Sequence, residues 1–350
     1  MITIEQIRSI DHQRMWDRIC SFDEQWRDAV DHTANVQLNL QVDRIRDVMI
    51  TGMGGAVIGG KIIRAISLEQ GHIPVEVNCS YELPSYVSEH TLVIAVSQSG
   101  DTEETLSAFE AAGVRGAQRV GISTGGQIEQ ICKEEGLPFI GLPRRRITRA
   151  ALAYTFIALW RVFQELSVFL PGDATLMEAA DFLEDEIEVF SNLDDNQAME
   201  MAAGLQDTLP IIYAHDGLME PVLTRWKTQL NENAKMLAFY GLIPEMNHNE
   251  IEGWELTAHL MGKLSVIMLH DASDHPRVRR RMEVTKELIE PHAVSFQSVS
   301  SAGSNPLERI FYMILYGDFV SFYLAIYSGV DPMPIIKIEL LKKMLNELEP

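Results

Sequence analysis

Apolar residues along this chain gather into short runs of two kinds. Continuous runs at 48–51, 91–97 (TLVIAVS), 119–123 and 137–142 read as buried strands, with a further extended piece at 74–78. Between them, apolar residues at helical spacing predict helices over 57–68, 102–112 and 127–135. Two consecutive helices are expected over 149–170 and 173–190, followed by the polar turn SNLDDN at 191–196. The alternation then resumes, with strands at 209–214, 264–270 and 293–299 and helices at 217–239, 276–290 and 306–327. Pro221 is tolerated because it falls near a helix start. A last helix is expected near 335–348, after the breaker Asp331-Pro332-Met333-Pro334. Residues 1–44 read as mostly helical, polar and solvated. Strands that alternate with helices imply right-handed crossovers and parallel sheets covered on both faces. The pattern thus predicts an α/β protein of two halves of similar plan, with no strong internal sequence repeat. The expected partition is 1–153, a helical connection at 154–200, and 201–350.

Composition narrows the classes. With 350 residues, 46% of them hydrophobic, the chain can build two sizeable cores. Its formal net charge of -21 disfavours nucleic acid, whose phosphates need clustered Lys and Arg. A phosphorylated substrate must be held by local devices against that field. Cys20, Cys79 and Cys132 are widely spaced, which gives neither a disulfide framework nor a zinc knuckle. The opening MITIEQIRSIDHQRMWD has no apolar signal core, and no uninterrupted apolar run suits a bilayer. A reducing cytoplasm is the expected location, with no membrane partner.

Two turns carry candidate anion chemistry. GMGGAVIGGKII, at 52–63, follows the first strand. Gly55-x-x-x-x-Gly60-Lys61 is a phosphate-binding loop up to its last letter, where Ile62 replaces the hydroxyl that would hold magnesium. Gly52-x-Gly54 begins a dinucleotide fingerprint, but Val57 occupies the third glycine position. The second turn, Ser97-Gln98-Ser99-Gly100-Asp101-Thr102, clusters three hydroxyls where a strand gives way to a helix. Hydroxyls with a helix N-terminus make a phosphate site that needs no lysine. The competing reading is an ordinary cap, with Asp101 or Thr102 capping the helix. Two such turns after neighbouring parallel strands favour a ligand, since ligands sit at the carboxyl ends of strands in these sheets.

GMGG after a strand, then S-x-S-G-x-T-x-E-T, resembles the sugar isomerase (SIS) domain family, which binds phosphosugars. The resemblance implies that Ser97, Ser99 and Thr102 hold the phosphate, and that Gly54 and Gly55 let the backbone approach the sugar. In RRRITRAALAY, Arg144, Arg145 and Arg146 read as solvated charge, whereas Arg149 opens an apolar segment and could stabilise negative charge on oxygen. Glu232 lies among Leu230, Ala234 and Leu237, which suits a proton-shuttling base, although most glutamates are simply surface residues. His248 sits in the polar knot Met246-Asn247-His248-Asn249-Glu250. Its spacing from Glu250 is a weak metal signal.

NENAK, P-E-x-N-H-N-E and GW, together with R-A-A-L-A-Y and VDP-x-P-x-x-x-I-x-x-L-K, are similar to the bifunctional phosphoglucose/phosphomannose isomerase family. That resemblance implies two SIS domains, each a parallel sheet between helical layers. It also implies a homodimer with active sites near the interface, and catalytic roles for Arg149, Glu232, His248 and Lys342. LLKKML around Lys342 is equally an ordinary amphipathic helix. An aldose–ketose isomerisation needs a base to move a proton between C1 and C2, an acid–base group to open the ring, and a cation for the enediolate. It needs no metal or redox cofactor if those parts are present. The expected assignment is Glu232 as base, His248 for ring opening, possible from the neighbouring subunit, Arg149 for the enediolate, and Lys342 for ring opening or orientation.

The sequence departs from that family's pattern. Ala56 stands where a serine is common, Lys61 where an acid is common, and Asp101 where asparagine is common. Asp101 is unfavourable beside a phosphate unless it faces away or caps a helix. Three readings remain: a phosphohexose isomerase, a non-catalytic or regulatory phosphosugar binder (or an isomerase of another phosphosugar), and a P-loop nucleotidase, which Ile62 disfavours.

Overall fold

Five strands between residues 47 and 141 pair as one parallel sheet, and four between 209 and 300 pair as another. The structure, a computed structural model, describes residues 2–144, 147–168, 172–194, 196–255 and 258–346. Arg145 and Arg146 of the basic run lie outside these residues.

The chain begins with helices α1 (Ile4–Ile10), α2 (Met15–Cys20) and α3 (Phe22–Thr33). The first half then runs β1 (Asp47–Gly52), α4 (Ile58–Gln70), β2 (Val75–Asn78), β3 (Thr91–Ser97), α5 (Glu103–Val114), β4 (Gln118–Ser123), α6 (Gly126–Glu135) and β5 (Phe139–Gly141). Helices α7 (Leu152–Glu165), α8 (Asp173–Ser191) and α9 (Gln197–Gly204) follow. The second half runs β6 (Leu209–His215), α10 (Glu220–Glu232), β7 (Phe239–Ile243), α11 (Ala258–Met261), β8 (Leu264–His270), α12 (Pro276–Ile289), β9 (Ser295–Ser300), α13 (Pro306–Tyr327) and α14 (Ile336–Asn346).

Strand order is β2-β1-β3-β4-β5 in the first sheet and β7-β6-β8-β9 in the second. The order reverses between β1 and β3, and again between β6 and β8, so each sheet has a crevice at the carboxyl ends of those strands. Successive strand residues face opposite sides. Val48, Ile50, Ile94 and Val96 face inward, as do Ile212, Ala214, Ile267 and Leu269, and all belong to one continuous core. Helices α4, α7, α10 and α13 lie in that core between the sheets. Met49, Val93 and Ala95 face outward onto α5 and α6, and Tyr213, Val266 and Met268 onto the α12 side. Both sheets are therefore flanked by helices on two faces, as the alternation predicts.

Three expectations change. The opening segment is helical over Ile4–Thr33, and although its polar residues are largely exposed, one face is buried. Phe22, Trp26, Ala29, Val30 and Thr33 form a buried stripe on α3 that the polar composition hides. Trp26 is wholly buried against Phe156 and Phe311, and its Nε1 donates to the Leu176 carbonyl at 2.8 Å. The helix expected over 217–239 ends at Glu232, and β7 begins at Phe239. Lys235 takes a φ of 57°, which a helix does not allow. Beyond it, Met236, Tyr240 and Leu242 pack on the core while Leu237 and Phe239 stay exposed. That is a two-residue period, mistaken in the sequence for the end of a helical one. The helix expected from Arg149 starts only at Leu152, after a tight turn at Thr148–Ala150. Helix α13 is long and apolar enough to cross a bilayer by length and composition, but its residues are buried inside the fold.

Candidate active site

The glycine turn follows β1 because the next strand leaves it no room. A Cβ on Gly52 would lie 2.7 Å from the Val96 carbonyl oxygen. Gly54 has a φ of 55°. A Cβ on Gly55 would sit 3.4 Å from Arg149 Cα and Thr148 Cγ2, so the glycine turn is pressed against the Thr148–Ala150 turn. Ala56 is buried. Lys61 points away, with its Nζ 3.5 Å from Thr224 Oγ1 on α10.

The serine turn lies beside it, at the end of β3. Ser97 Oγ is 2.8 Å from Thr102 Oγ1 and accepts from the Gly100 N–H at 3.1 Å. Ser99 Oγ accepts from the Asp101 N–H at 3.1 Å. Gly100 has a φ of 80°, and a Cβ there would fall 1.8 Å from the Gly125 carbonyl oxygen, so no other residue fits. The competing reading, a side-chain cap on α5, does not hold. Thr102 occupies the N-cap position of α5 but makes no side-chain cap bond. Asp101 turns to the neighbouring helix, where its Oδ1 accepts from the Gln127 N–H at 2.9 Å. Its charge therefore complements the positive end of α6 and leaves the N–H groups of α5 open to the hydroxyls.

Arg149 and Glu232, far apart in sequence, meet across the two halves. Arg149 is buried, with its Nη1 3.5 Å from Glu232 Oε2. Its Nε donates to Asn233 Oδ1 at 2.9 Å, and its Nη2 donates to the Pro332 and Met333 carbonyls at 2.7 and 2.6 Å. Burial pushes its pKa down, Glu232 opposes that, and Arg225 adds to it. Starting so high, the guanidinium stays charged at neutral pH. Glu232 sits at the last residue of α10 with about a fifth of its side chain exposed, 21%.

Behind this pair runs a polar seam that the sequence reading missed. Arg225 and Gln229 stand one turn apart on α10, Asn233 follows directly at its end, and they face Asp318 and Ser321 of α13. Arg225 makes two bonds to Asp318, at 3.0 and 2.7 Å, and donates to the Arg149 carbonyl at 2.5 Å. Asn233 donates to Ser321 Oγ at 3.0 Å, which fixes its amide so that its oxygen meets Arg149. Lys235 was also missed. Its Nζ donates to the Glu232 carbonyl and, at 3.1 Å, to the Pro332 carbonyl that Arg149 also holds. Burial and the nearby Arg149 push the Lys235 amine down to about 8. The one available signal was the sequence Asn233-Ala234-Lys235 directly after the base candidate.

His248 lies on the turn Glu245–His248 beyond β7, exposed, and forms no hydrogen bond to Arg149 or Glu232. Lys342 is exposed on α14. So the chain brings together Gly54, Gly55, Arg149 and Glu232, sets Ser97, Ser99 and Thr102 at and just beyond the end of the neighbouring strand, and leaves His248 and Lys342 exposed with no hydrogen bond to that cluster.

Comparison with known proteins gives the chain's relatives. The family model "Bacterial phospho-glucose isomerase C-terminal SIS domain" matches residues 194–345. A bifunctional phosphoglucose/phosphomannose isomerase from Caldicellulosiruptor bescii is 39% identical over 96% of this chain and 100% of its own length. One from Aquifex aeolicus is 32% identical over 86% of this chain and 91% of its own. Among solved structures, tagatose-6-phosphate ketose/aldose isomerase from Escherichia coli shares the fold, with a TM-score of 0.70 at 14% identity over 91% of this chain and 95% of that one.

Proposed function

The chain belongs to the bifunctional phosphoglucose/phosphomannose isomerase family, and we propose that it interconverts fructose 6-phosphate with glucose 6-phosphate and mannose 6-phosphate through a cis-enediol intermediate. The observation that carries this reading is the 3.5 Å pairing of buried Arg149 with part-exposed Glu232, at the end of the glycine turn.

Glu232 removes the proton from C2 or C1 and returns it to the other carbon. As it takes the proton its own charge vanishes and the enediolate oxygen becomes negative. Arg149 Nη1, 3.5 Å from Glu232 Oε2, is then the cation for that oxygen, so one charge is balanced before and after transfer. A planar C2 loses its configuration, so the same base serves both epimers when the C1–C2 unit rotates. The phosphate is held by Ser97, Ser99, Thr102 and the open N–H groups of α5. Gly54 and Gly55 allow the backbone to approach the sugar.

His248 opens the ring, and Lys342 assists or orients the sugar. Their exposure, with no hydrogen bond to Arg149 or Glu232, supports delivery from a second copy of the chain. Helix α14 presents Ile336, Leu341 and Met344 at 70%, 57% and 57% exposure. Such an apolar face is unfavourable in water, at about 25 cal/mol per Å². A homodimer that covers it would also bring Lys342 to an interface. Three free cysteines fit a reducing cytoplasm.

Incubation with fructose 6-phosphate in deuterated water tests the reading. Deuterium at C2 of glucose 6-phosphate and mannose 6-phosphate is the expected result. Binding without exchange would make the protein a phosphosugar binder.

A further inference from the structure

The two halves share more than strand order. In the first, five residues, 98–102, join β3 to α5; in the second, five residues, 271–275, join β8 to α12. Ser97 pairs in register with Ser123, and His270 with Ser300. Gln98 and Asp271 thus hold the same place in their turns, as do Thr124 and Ser301 in the turns that follow. The cross-contacts agree. Thr124 Oγ1 donates to the Gln98 carbonyl at 2.7 Å, and Ser301 Oγ donates to Asp271 Oδ1 at 2.7 Å.

The chemistry of the two turns differs. The first offers hydroxyls. In the second, a carboxylate draws in the donors. Asp271 Oδ2 accepts from the Ser273 N–H at 2.9 Å and from the Ser273 hydroxyl. Its Oδ1 accepts from Ser301 Oγ and, at 3.0 Å, from Arg309 Nε. A backbone N–H, two hydroxyls and a guanidinium converging on two oxygens are the partners an oxyanion takes. Asp271 is 4% exposed and Arg309 8%. Burial alone would raise the Asp271 pKa, but the bonds from Ser273 and Ser301 and the charge of Arg309 hold it below its ordinary value. The carboxylate also borders a cavity of about 420 Å³ lined by His270, Arg279 and Ser300. That cavity opens at the carboxyl ends of β8 and β9, where sheets of this kind take ligands.

We propose that the second half contains an oxyanion site of the same plan as the serine turn, and that the Asp271 carboxylate fills it from within. Of these two turns, the serine turn is the open one, and the second opens to a small carboxylate or phosphate when the Asp271 side chain is removed. The parallel with the serine turn rests on the phosphate assignment made above. The donor set around Asp271 stands without it.

The test reads thermal unfolding of the full chain, so its failure is distinct from failure of the isomerase reading. Asp271→Ala should melt lower than the wild type in sodium chloride. Replacing chloride with formate or inorganic phosphate at equal ionic strength should raise its Tm by about 2–3 °C, as expected for an anion at ten times its Kd. The wild type should not respond. Equal responses in both proteins, or none in the variant, would overturn the proposal. If Asp271→Ala does not fold, Asp271→Asn decides. It keeps the shape but puts an NH2 against a donor in either amide orientation, Ser273 on one side or Arg309 and Ser301 on the other, so it should also melt lower. An Asp271→Asn protein as stable as the wild type would overturn the proposal equally.

Discussion

Arg149 Nη1 and Glu232 Oε2 lie 3.5 Å apart although 83 residues separate them in the chain. The guanidinium is fixed from behind by Asn233 and by the Pro332 and Met333 carbonyls. Only the carboxylate keeps contact with solvent. A rigid cation behind a reachable base is an arrangement suited to moving a proton beside a developing oxyanion.

Glu232→Gln keeps the size of the base and removes its function. Turnover should fall by roughly 10²–10⁴-fold while fructose 6-phosphate still binds, as measured by steady-state rates alongside calorimetric titration. Turnover near that of the wild type would remove Glu232 from the role of base.

Arg149→Lys keeps a charge but loses the planar fork. One ammonium cannot meet Asn233, two carbonyls and Glu232 together. Turnover should drop by about 10²–10³-fold and stability by about 2 kcal/mol, read by rate assays well below Tm and by urea unfolding. A loss of stability with unchanged turnover would make this arginine purely structural.

Lys235 gives a pH signature with a definite sign. Its folded pKa is near 8 against an ordinary 10.5, because burial and Arg149 disfavour the charged amine. Between those values the unfolded chain holds a proton that the folded chain has lost, so this residue adds stability as pH rises. Urea unfolding of wild type and Lys235→Met at pH about 7.5 and about 10 should show the wild type gaining on the variant. A constant difference would mean that the amine titrates normally.

The assignment of His248 to a second subunit predicts complementation. Glu232→Gln and His248→Ala should each be inactive alone. Mixed and re-equilibrated, half of the dimers carry one intact site of two, so about a quarter of wild-type activity should return. No recovery, with mixed dimers verified by mass, would place both residues in one chain's site. Leu341→Glu on the exposed face of α14 should shift the protein towards monomer in sedimentation.

Gly100→Ala should fail for steric reasons. The new Cβ would fall 1.8 Å from the Gly125 carbonyl, at a φ of 80°. A loss of at least about 2–3 kcal/mol is expected in thermal unfolding, along with weakened phosphosugar binding.

Strands such as β1, β3 and β8 were legible because each is a short apolar run, and helices such as α4, α5 and α12 because each keeps its helical period, whereas β7 was hidden in the tail of an expected helix. The stop at Glu232 was not legible, because Met236, Ala238 and Tyr240 continue an apolar series whose period changes only when β7 pairs with β6. Arg149 and Glu232, which the fold brings together, could be named as candidates because they lie within motifs. Asn233, Lys235, Arg225 and Asp318 could not, because their roles depend on α10 lying beside α13 and on the chain returning at Pro332. The direction taken by Asp101 was equally hidden, since the helix it caps belongs to the next crossover.

The single core that runs through both sheets also limits how the enzyme can move. A hinge between the halves would have to slide α4 and α7 past α10 and α13 and expose side chains such as Ile62, Phe156, Trp226 and Phe311, all fully or almost fully buried. The scattering profile of the protein should therefore be nearly the same with and without sugar phosphate. With no hinge to close over it, a bound sugar phosphate has to displace water from the proposed site itself, and both epimers have to be accommodated by turning within it rather than by moving the halves.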